Sequence, residues 1–132
     1  MLRRINPSTV HAPAPSYAQV VEDTDSGTIH VAGQVGLSPS GALVGPDMAS
    51  QTRQLLANLD AILAELGLGR EHIARRQVFV TNMEEYFAQA VDGQVTAYFR
   101  DAPSTSTLVG VASLFKPDVR IEVEVTIVRP RS

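Results

Sequence analysis

Near the end of the chain, Val119, Ile121, Val123, Val125 and Ile127 alternate with Arg120, Glu122, Glu124 and Thr126. A strict period of two predicts a strand with one apolar and one polar face. The row of Arg120, Glu122 and Glu124 must then meet water, another subunit or a ligand. Over residues 47–66 the period lengthens. Met48, Leu55, Leu59, Ile62, Leu63 and Leu66 fall on one helical stripe, with Asp47 as N-cap and Gly67 past the end. Residues 73–80 read as a strand. Thr81, Asn82, Glu84 and Glu85 form a capping-box pattern for a second helix reaching about Arg100, and Pro103 stops it. Its apolar positions are Tyr86, Phe87, Ala90, Val91, Val95, Tyr98 and Phe99. Gly93 within them costs about 1 kcal/mol against Ala and marks either a close packing contact or a local break.

Before the first helix, residues 1–16 read as an irregular lead-in, because Pro7, Pro13 and Pro15 remove ladder donors, so order is expected from about Tyr17. Residues 17–22 and 28–32 flank a five-residue turn, Asp23 to Gly27, and predict a hairpin. Gly33 and Gly36 permit close backbone approach or positive φ, and Ser38, Pro39, Ser40 and Gly41 make a further turn. After the second helix, residues 107–114 predict a short strand, and Lys116, Pro117 and Asp118 turn the chain into the alternating strand. The expected order is β-β-α-β-α-β-β, an α+β domain over residues 1–132 with two helices on one face of a mixed sheet. The face bearing Glu122 is left uncovered, and symmetric assembly is the economical way to cover it.

Composition narrows the chemistry. The 132 residues, 44% hydrophobic, suit one core, and no apolar run approaches the roughly 18–20 residues that span a bilayer. Arg3 and Arg4 have no apolar stretch behind them, so a secretory signal is not expected, and a soluble, cytoplasmic protein is. With no cysteine, disulfides and thiolate chemistry are excluded. Eleven Lys+Arg against 14 Asp+Glu argue against nucleic-acid binding, and the small cluster Arg70, Arg75 and Arg76 reads as structural. His11, His30 and His72 lack the spacing of metal ligands, so no metal is expected. Neither a nucleophile elbow nor a phosphate loop is present.

Several strings, in order, carry a resemblance: Arg4-Ile5-Asn6-Pro7; Tyr17-Ala18-Gln19-Val20; Ala32-Gly33-Gln34-Val35; Gln51-Thr52-Arg53-Gln54 with Asn58, Leu59, Ala61 and Leu63; Val78-Phe79-Val80-Thr81; and Ile121-Glu122-Val123-Glu124. Together they resemble the RidA/YjgF family of reactive-intermediate deaminases across almost the whole chain. The resemblance implies a chorismate-mutase-like fold and a homotrimer with an inner barrel of sheets and ligand clefts between subunits. It also implies hydrolysis of imines or enamines of small metabolites to a carbonyl compound and ammonia, without a cofactor. It assigns the catalytic carboxylate to Glu122, the aromatic at the pocket mouth to Tyr17, and the pocket backbone to Gly33. On residues alone, Glu122 is equally a solvated strand charge, Tyr17 edge packing and Gly33 a turn.

One element of the family pattern is missing. Active relatives carry an arginine in a Pro-Ala-Arg-Ser/Thr string, which clamps the substrate carboxylate. Here the chain reads Ala102-Pro103-Ser104-Thr105-Ser106-Thr107-Leu108. Registering on Val111, Ala112 and Leu114 places Ser106 at the arginine, with Thr107 and Leu108 beside it in the pocket; registering on Pro103 gives Thr105. Loss of a charge-assisted contact weakens binding by about 1.5–3 kcal/mol, so generic 2-imino acid deamination is in doubt. Two readings stay open besides an imine or enamine hydrolase: a non-catalytic binding or regulatory trimer and, behind it, an endoribonuclease or translation inhibitor. Another pocket position of the family falls near Val91 or Asp92. Arg120 is either a replacement cation or the partner of a neighbouring acid.

Overall fold

A computed structural model describes residues 1–131. The chain forms β1 (Leu2–Ile5), β2 (Val20–Asp23), β3 (Thr28–Val31), α1 (Met48–Leu66), a single 3-10 turn at Arg70–His72, β4 (Ile73–Val80), α2 (Met83–Ala88), α3 (Val91–Phe99), β5 (Thr105–Gly110) and β6 (Ile121–Val128). All strands join one sheet in the order β1-β2-β3-β6-β4-β5. Neighbours are antiparallel except β4 and β5, which run parallel and are connected through α2 and α3. The architecture is α+β with a mixed sheet, as expected, but with an extra strand and an extra helix among the described residues.

The extra strand lies inside the segment read as irregular. Leu2 to Ile5 precede the first proline and pair with Asp23 to Val20, so the sheet begins before the Pro-rich stretch. Tyr17, in turn, lies outside β2, where its amide closes a turn by donating to the Ala14 carbonyl at 3.2 Å. The extra helix arises because the second helical segment breaks at Ala90, whose φ of 57° is left-handed. Gly93 is not the break, nor a packing contact: a Cβ there would meet nothing within 4 Å. Asn82 caps α2 by accepting from the Glu85 amide at 2.9 Å. The fifth strand also starts and ends earlier than its sequence suggests, at Thr105 and Gly110.

Helix α1 forms as its pattern requires. The Asp47 carboxylate accepts from the Ser50 amide at 2.9 Å, and Gly67 adopts φ 69° at the other end. Its apolar stripe is buried together with Ile121, Val123, Val125 and Ile127 of β6, Val78 and Val80 of β4, and Val95 and Phe99 of α3. The arginine cluster belongs to this packing. Arg70 forms a two-pronged pair with Asp60 and lies 3.8 Å from the Tyr98 ring centre, while Arg76 lies 4.2 Å from that of Phe99. Among the described residues no helix is long and apolar enough to cross a membrane.

Two buried amides of α1 extend this core to the loops. Asn58 donates to the Val35 and Leu37 carbonyls at 3.2 and 3.0 Å. Gln51 donates to the Gly45 and Asp118 carbonyls, each at 2.9 Å, and accepts from the Arg120 amide at 2.8 Å. Gly36 lets the first of these loops lie flat on the helix, since a Cβ there would stand 2.6 Å from the Gln51 Cα.

Exchanging the two misplaced residue types is expected to stabilise the chain. Ala90→Gly relieves a left-handed alanine and Gly93→Ala stiffens an unobstructed helical position, each adding about 0.5–1 kcal/mol to unfolding in urea. A loss of stability in Ala90→Gly contradicts the break at Ala90, and one in Gly93→Ala contradicts the open space at that position.

Candidate functional site

The site starts from one short ladder. Past β3, the chain makes an isolated antiparallel bridge to β6: the Gln34 amide donates to the Val123 carbonyl at 2.8 Å and the Val123 amide returns to Gln34 at 2.9 Å. The bridge lays Gly33 directly beneath the side chain of Glu122. A Cβ at residue 33 would stand 2.6 Å from the Glu122 Cδ and 2.9 Å from its Cγ, inside any permitted contact. Gly33 therefore does more than turn the chain; it makes room for the carboxylate.

Glu122 is half-buried, and no described residue donates a hydrogen bond to its carboxylate. Burial pushes its carboxyl above the ordinary range, and the negative charge of Glu124 adds to the shift. Glu124 has company of its own: with the Gln77 amide turned to satisfy both neighbours, its nitrogen donates to Glu124 at 3.2 Å and its oxygen accepts from Arg75 at 2.9 Å.

Tyr17, Gly33 and Glu122 line one cavity of about 640 Å³. Three further side chains complete its chemistry: His11, Phe115 and Lys116. Tyr17 and Phe115 are 47% and 61% exposed, so the rim is aromatic and open to water. His11, by contrast, is only 7% exposed, and burial lowers its basicity. Neither His11 nor Lys116 follows from the sequence pattern, where one sits in a Pro-rich stretch and the other in a turn. The signal that existed lay in the two strings containing Gln19 and Gln34. Gln34 Nε2 donates to Gln19 Oε1 at 2.8 Å, and Gln19 Nε2 reaches the His11 carbonyl at 3.0 Å and its ring Nε2 at 3.2 Å.

Ser106, Thr107 and Leu108 lie outside this cavity. They belong to β5, separated from β6 by β4, hence about 10 Å away. Phe79 pairs with Glu122 and Val109 with Phe79, so Thr105, Thr107 and Val109 share the Glu122 face, while Ser106 and Leu108 face the helices. Leu108 packs on the core accordingly. Of the two hydroxyls offered for the arginine position, Thr105 thus lies on the Glu122 face of the sheet and Ser106 on the opposite one. Arg120 is no substitute cation: its guanidinium pairs with Glu85 at 2.9 Å and donates to the Pro46 carbonyl at 2.8 Å. Val91 is buried in the core. Among the described residues, no three His, Asp or Glu side chains gather as a metal set.

Comparison with known proteins identifies the family and the fold. A family model described as Endoribonuclease L-PSP matches residues 9–129. A RutC family protein of Aquifex aeolicus is 31% identical over 130 residues, covering 96% of this chain and 98% of that protein. The 2-iminobutanoate/2-iminopropanoate deaminase of Escherichia coli is 33% identical over 126 residues, covering 92% and 95%. The crystal structure of E. coli TdcF with bound serine superposes with a TM-score of 0.84 at 29% identity, covering 97% of this chain and 99% of that one. On the match to the family model and to these relatives over nearly the whole chain, the chain belongs to the RidA/YjgF family, whose model carries the description Endoribonuclease L-PSP.

Proposed function

We propose that the cavity hydrolyses imines or enamines of small metabolites, releasing a carbonyl compound and ammonia, with Glu122 as the catalytic carboxylate. The observation that carries this is a half-buried carboxyl on the cavity wall, without a donor among the described residues and raised in pKa by burial. Such a group is tuned toward the working range of a general base. The imine carbon is already electrophilic. Glu122 takes a proton from water as the oxygen bonds to the carbon of the protonated imine, which gives a neutral carbinolamine; the carboxyl returns that proton to nitrogen and, as the C–N bond breaks and ammonia leaves, takes the hydroxyl proton so that the C=O forms. Nothing in these steps requires a cofactor. Tyr17 supplies a ring and a phenol at the rim, and the bare backbone of Gly33 lets the Glu122 carboxylate sit on the cavity wall. The name of the E. coli deaminase supports this reaction class, and the serine of TdcF supports a ligand of amino-acid size.

The proposed assembly is a homotrimer in the cytoplasm, where such short-lived intermediates arise. β1 and β5 end the sheet with unpaired edges, and the face bearing Phe79, Glu122 and Thr126 lies away from the helices. In such an assembly Thr105 and Thr107 of one copy, on the Glu122 face, are placed to approach the cavity of the next, with Leu108 behind them. One observation favours a second reading, a non-catalytic binding or regulatory trimer: β5 offers only hydroxyls where a cation clamps the substrate in active relatives. Endoribonuclease action has less support, since the net charge is −3 and Arg70 and Arg76 are committed to packing.

Imines generated by an amino-acid oxidase, with semicarbazide as competing trap, test the reaction. The wild-type chain is expected to lower semicarbazone yield, and Glu122→Ala to lose activity on the order of 100-fold. Thr105→Arg, on the correct face, is expected to improve use of 2-imino acids by about one to two decades, whereas Ser106→Arg does not. If every variant is silent on imines and enamines alike, the binding reading replaces this one.

A second test concerns the carboxyl itself. Raised in the folded chain from its ordinary 4.5, Glu122 binds its proton more tightly folded than unfolded, so its contribution to stability falls as pH rises through the raised value. Glu122→Gln should therefore exceed the wild type in urea resistance at neutral pH and match it below the ordinary value. Equal midpoints at neutral pH would show an unburied carboxylate. Gly33→Ala, which collides with Glu122, is expected to cost about 1–3 kcal/mol of stability and most of the activity; wild-type behaviour would contradict the contact.

A further inference from the structure

The cavity beside Glu122 is larger than the smallest imines require. At the ~30 Å³ that liquid water gives a heavy atom, the six heavy atoms of 2-iminopropanoate take about 180 Å³, less than a third of the cavity's 640 Å³. Volumes of about 300–1,000 Å³ hold ligands of many more atoms. The lining is also mostly apolar. Ala12, Ala14, Ala18, Val35, Leu37 and Phe115 stand against two charged side chains, Lys116 and Glu122, while burial holds His11 toward its neutral form.

Phe115 is the lining residue whose exposure calls for a physical reason. Val35 and Leu37 pack with Val119 into a small apolar cluster apart from the main core, and Leu114 rests against it. That contact anchors the turn, and the next side chain, Phe115, stands on the cavity 61% exposed. The Lys116 ammonium lies 5.5 Å from its ring centre, and among the described residues no second aromatic ring stacks on it. An apolar group brought to this ring by a ligand takes both surfaces out of water. With hydroxyls on β5 in place of a clamping arginine, apolar contact is the affinity this lining is built to supply.

We infer that Phe115 determines specificity: its exposed ring, on a cavity also walled by Val35 and Leu37, receives an aromatic or branched aliphatic group of the substrate, so that imines and enamines bearing such a group are selected over those of two or three carbons. This rests on the hydrolase reading for the C=N bond, and on the cavity alone for the selection. The three alanines of the lining leave the room that a large group needs, and the exposed ring gives it a surface to cover. Each methylene buried there is worth about fourfold in affinity, so size and apolarity act together in the choice of substrate.

Pyruvate, 4-methyl-2-oxopentanoate and phenylpyruvate share one 2-oxo acid group and differ in the apolar part, which makes them suitable probes for titration calorimetry. Affinity is expected to rise in that order, with phenylpyruvate at least about 30-fold tighter than pyruvate. Phe115→Ala should weaken phenylpyruvate by about tenfold and pyruvate by less, and Phe115→Leu should restore part of the difference. Because the ring is exposed, the urea midpoint of either variant should match the wild type, which separates lost binding from lost folding. Equal affinities for pyruvate and phenylpyruvate in the wild type, or an equal loss or none for both in Phe115→Ala, would overturn the assignment. Imines generated from alanine, leucine and phenylalanine by an amino-acid oxidase should follow the same order in kcat/KM. If phenylpyruvate binds through Phe115 while none of these imines is hydrolysed, the hydrolase reading fails and the selection stands; if all three are hydrolysed alike and Phe115→Ala changes nothing, the reverse holds.

Discussion

The contact between the Glu122 side chain and the bare backbone of Gly33 is the constraint around which this molecule is organised. It exists because a two-bond bridge between Gln34 and Val123 carries the sheet one residue pair beyond the end of β3. The bridge holds the carboxylate against protein on one side while the cavity opens on the other. Partial burial without a donor is what raises its proton affinity. A side chain at residue 33 would remove both the geometry and the electrostatics at once.

The cavity walls are loops, and loops hold their shape only when their polar backbone groups find partners. Here the partners are buried amide side chains. Gln51 and Asn58 project from α1 to pin segments around Gly36 and Asp118, and Gln19 and Gln34 tie the Pro-rich segment to the sheet. Each is almost fully buried, and each accounts for hydrogen bonds that an apolar residue of equal size would leave unmet. The apolar core under the sheet supplies stability; this polar layer gives the loops their positions.

Charge is distributed by the same logic. Arg70, Arg76, Arg120 and Arg129 are all engaged with Asp60, aromatic rings, Glu85 or Glu22. Arg129 closes on Glu22, itself 4% exposed, and on the Leu66 carbonyl, joining the end of β6 to β2 and to the end of α1. These pairings leave Lys116 as the cation of the cavity lining.

The alternation of β6 and the stripe and caps of α1 were legible in the sequence, because periods of 2 and 3.6 and the needs of helix ends are local properties. Glu122, Gly33 and Tyr17 were singled out by the ordered strings of the resemblance, and they line one cavity. The early strand Leu2–Ile5 was hidden because its partner residues lie 15 to 21 positions further on, and the break at Ala90 because alanine carries no local signature of a left-handed backbone. Which hydroxyl of 104–107 faces the cavity side depended on strand register, and register reverses faces with a shift of one residue. That His11 and Lys116 line one cavity was likewise beyond the sequence. Residue type alone determined that this chain had an acid and lacked the familiar arginine; only tertiary structure decided what else the acid would face, since a cavity is made by segments whose proximity no local pattern encodes.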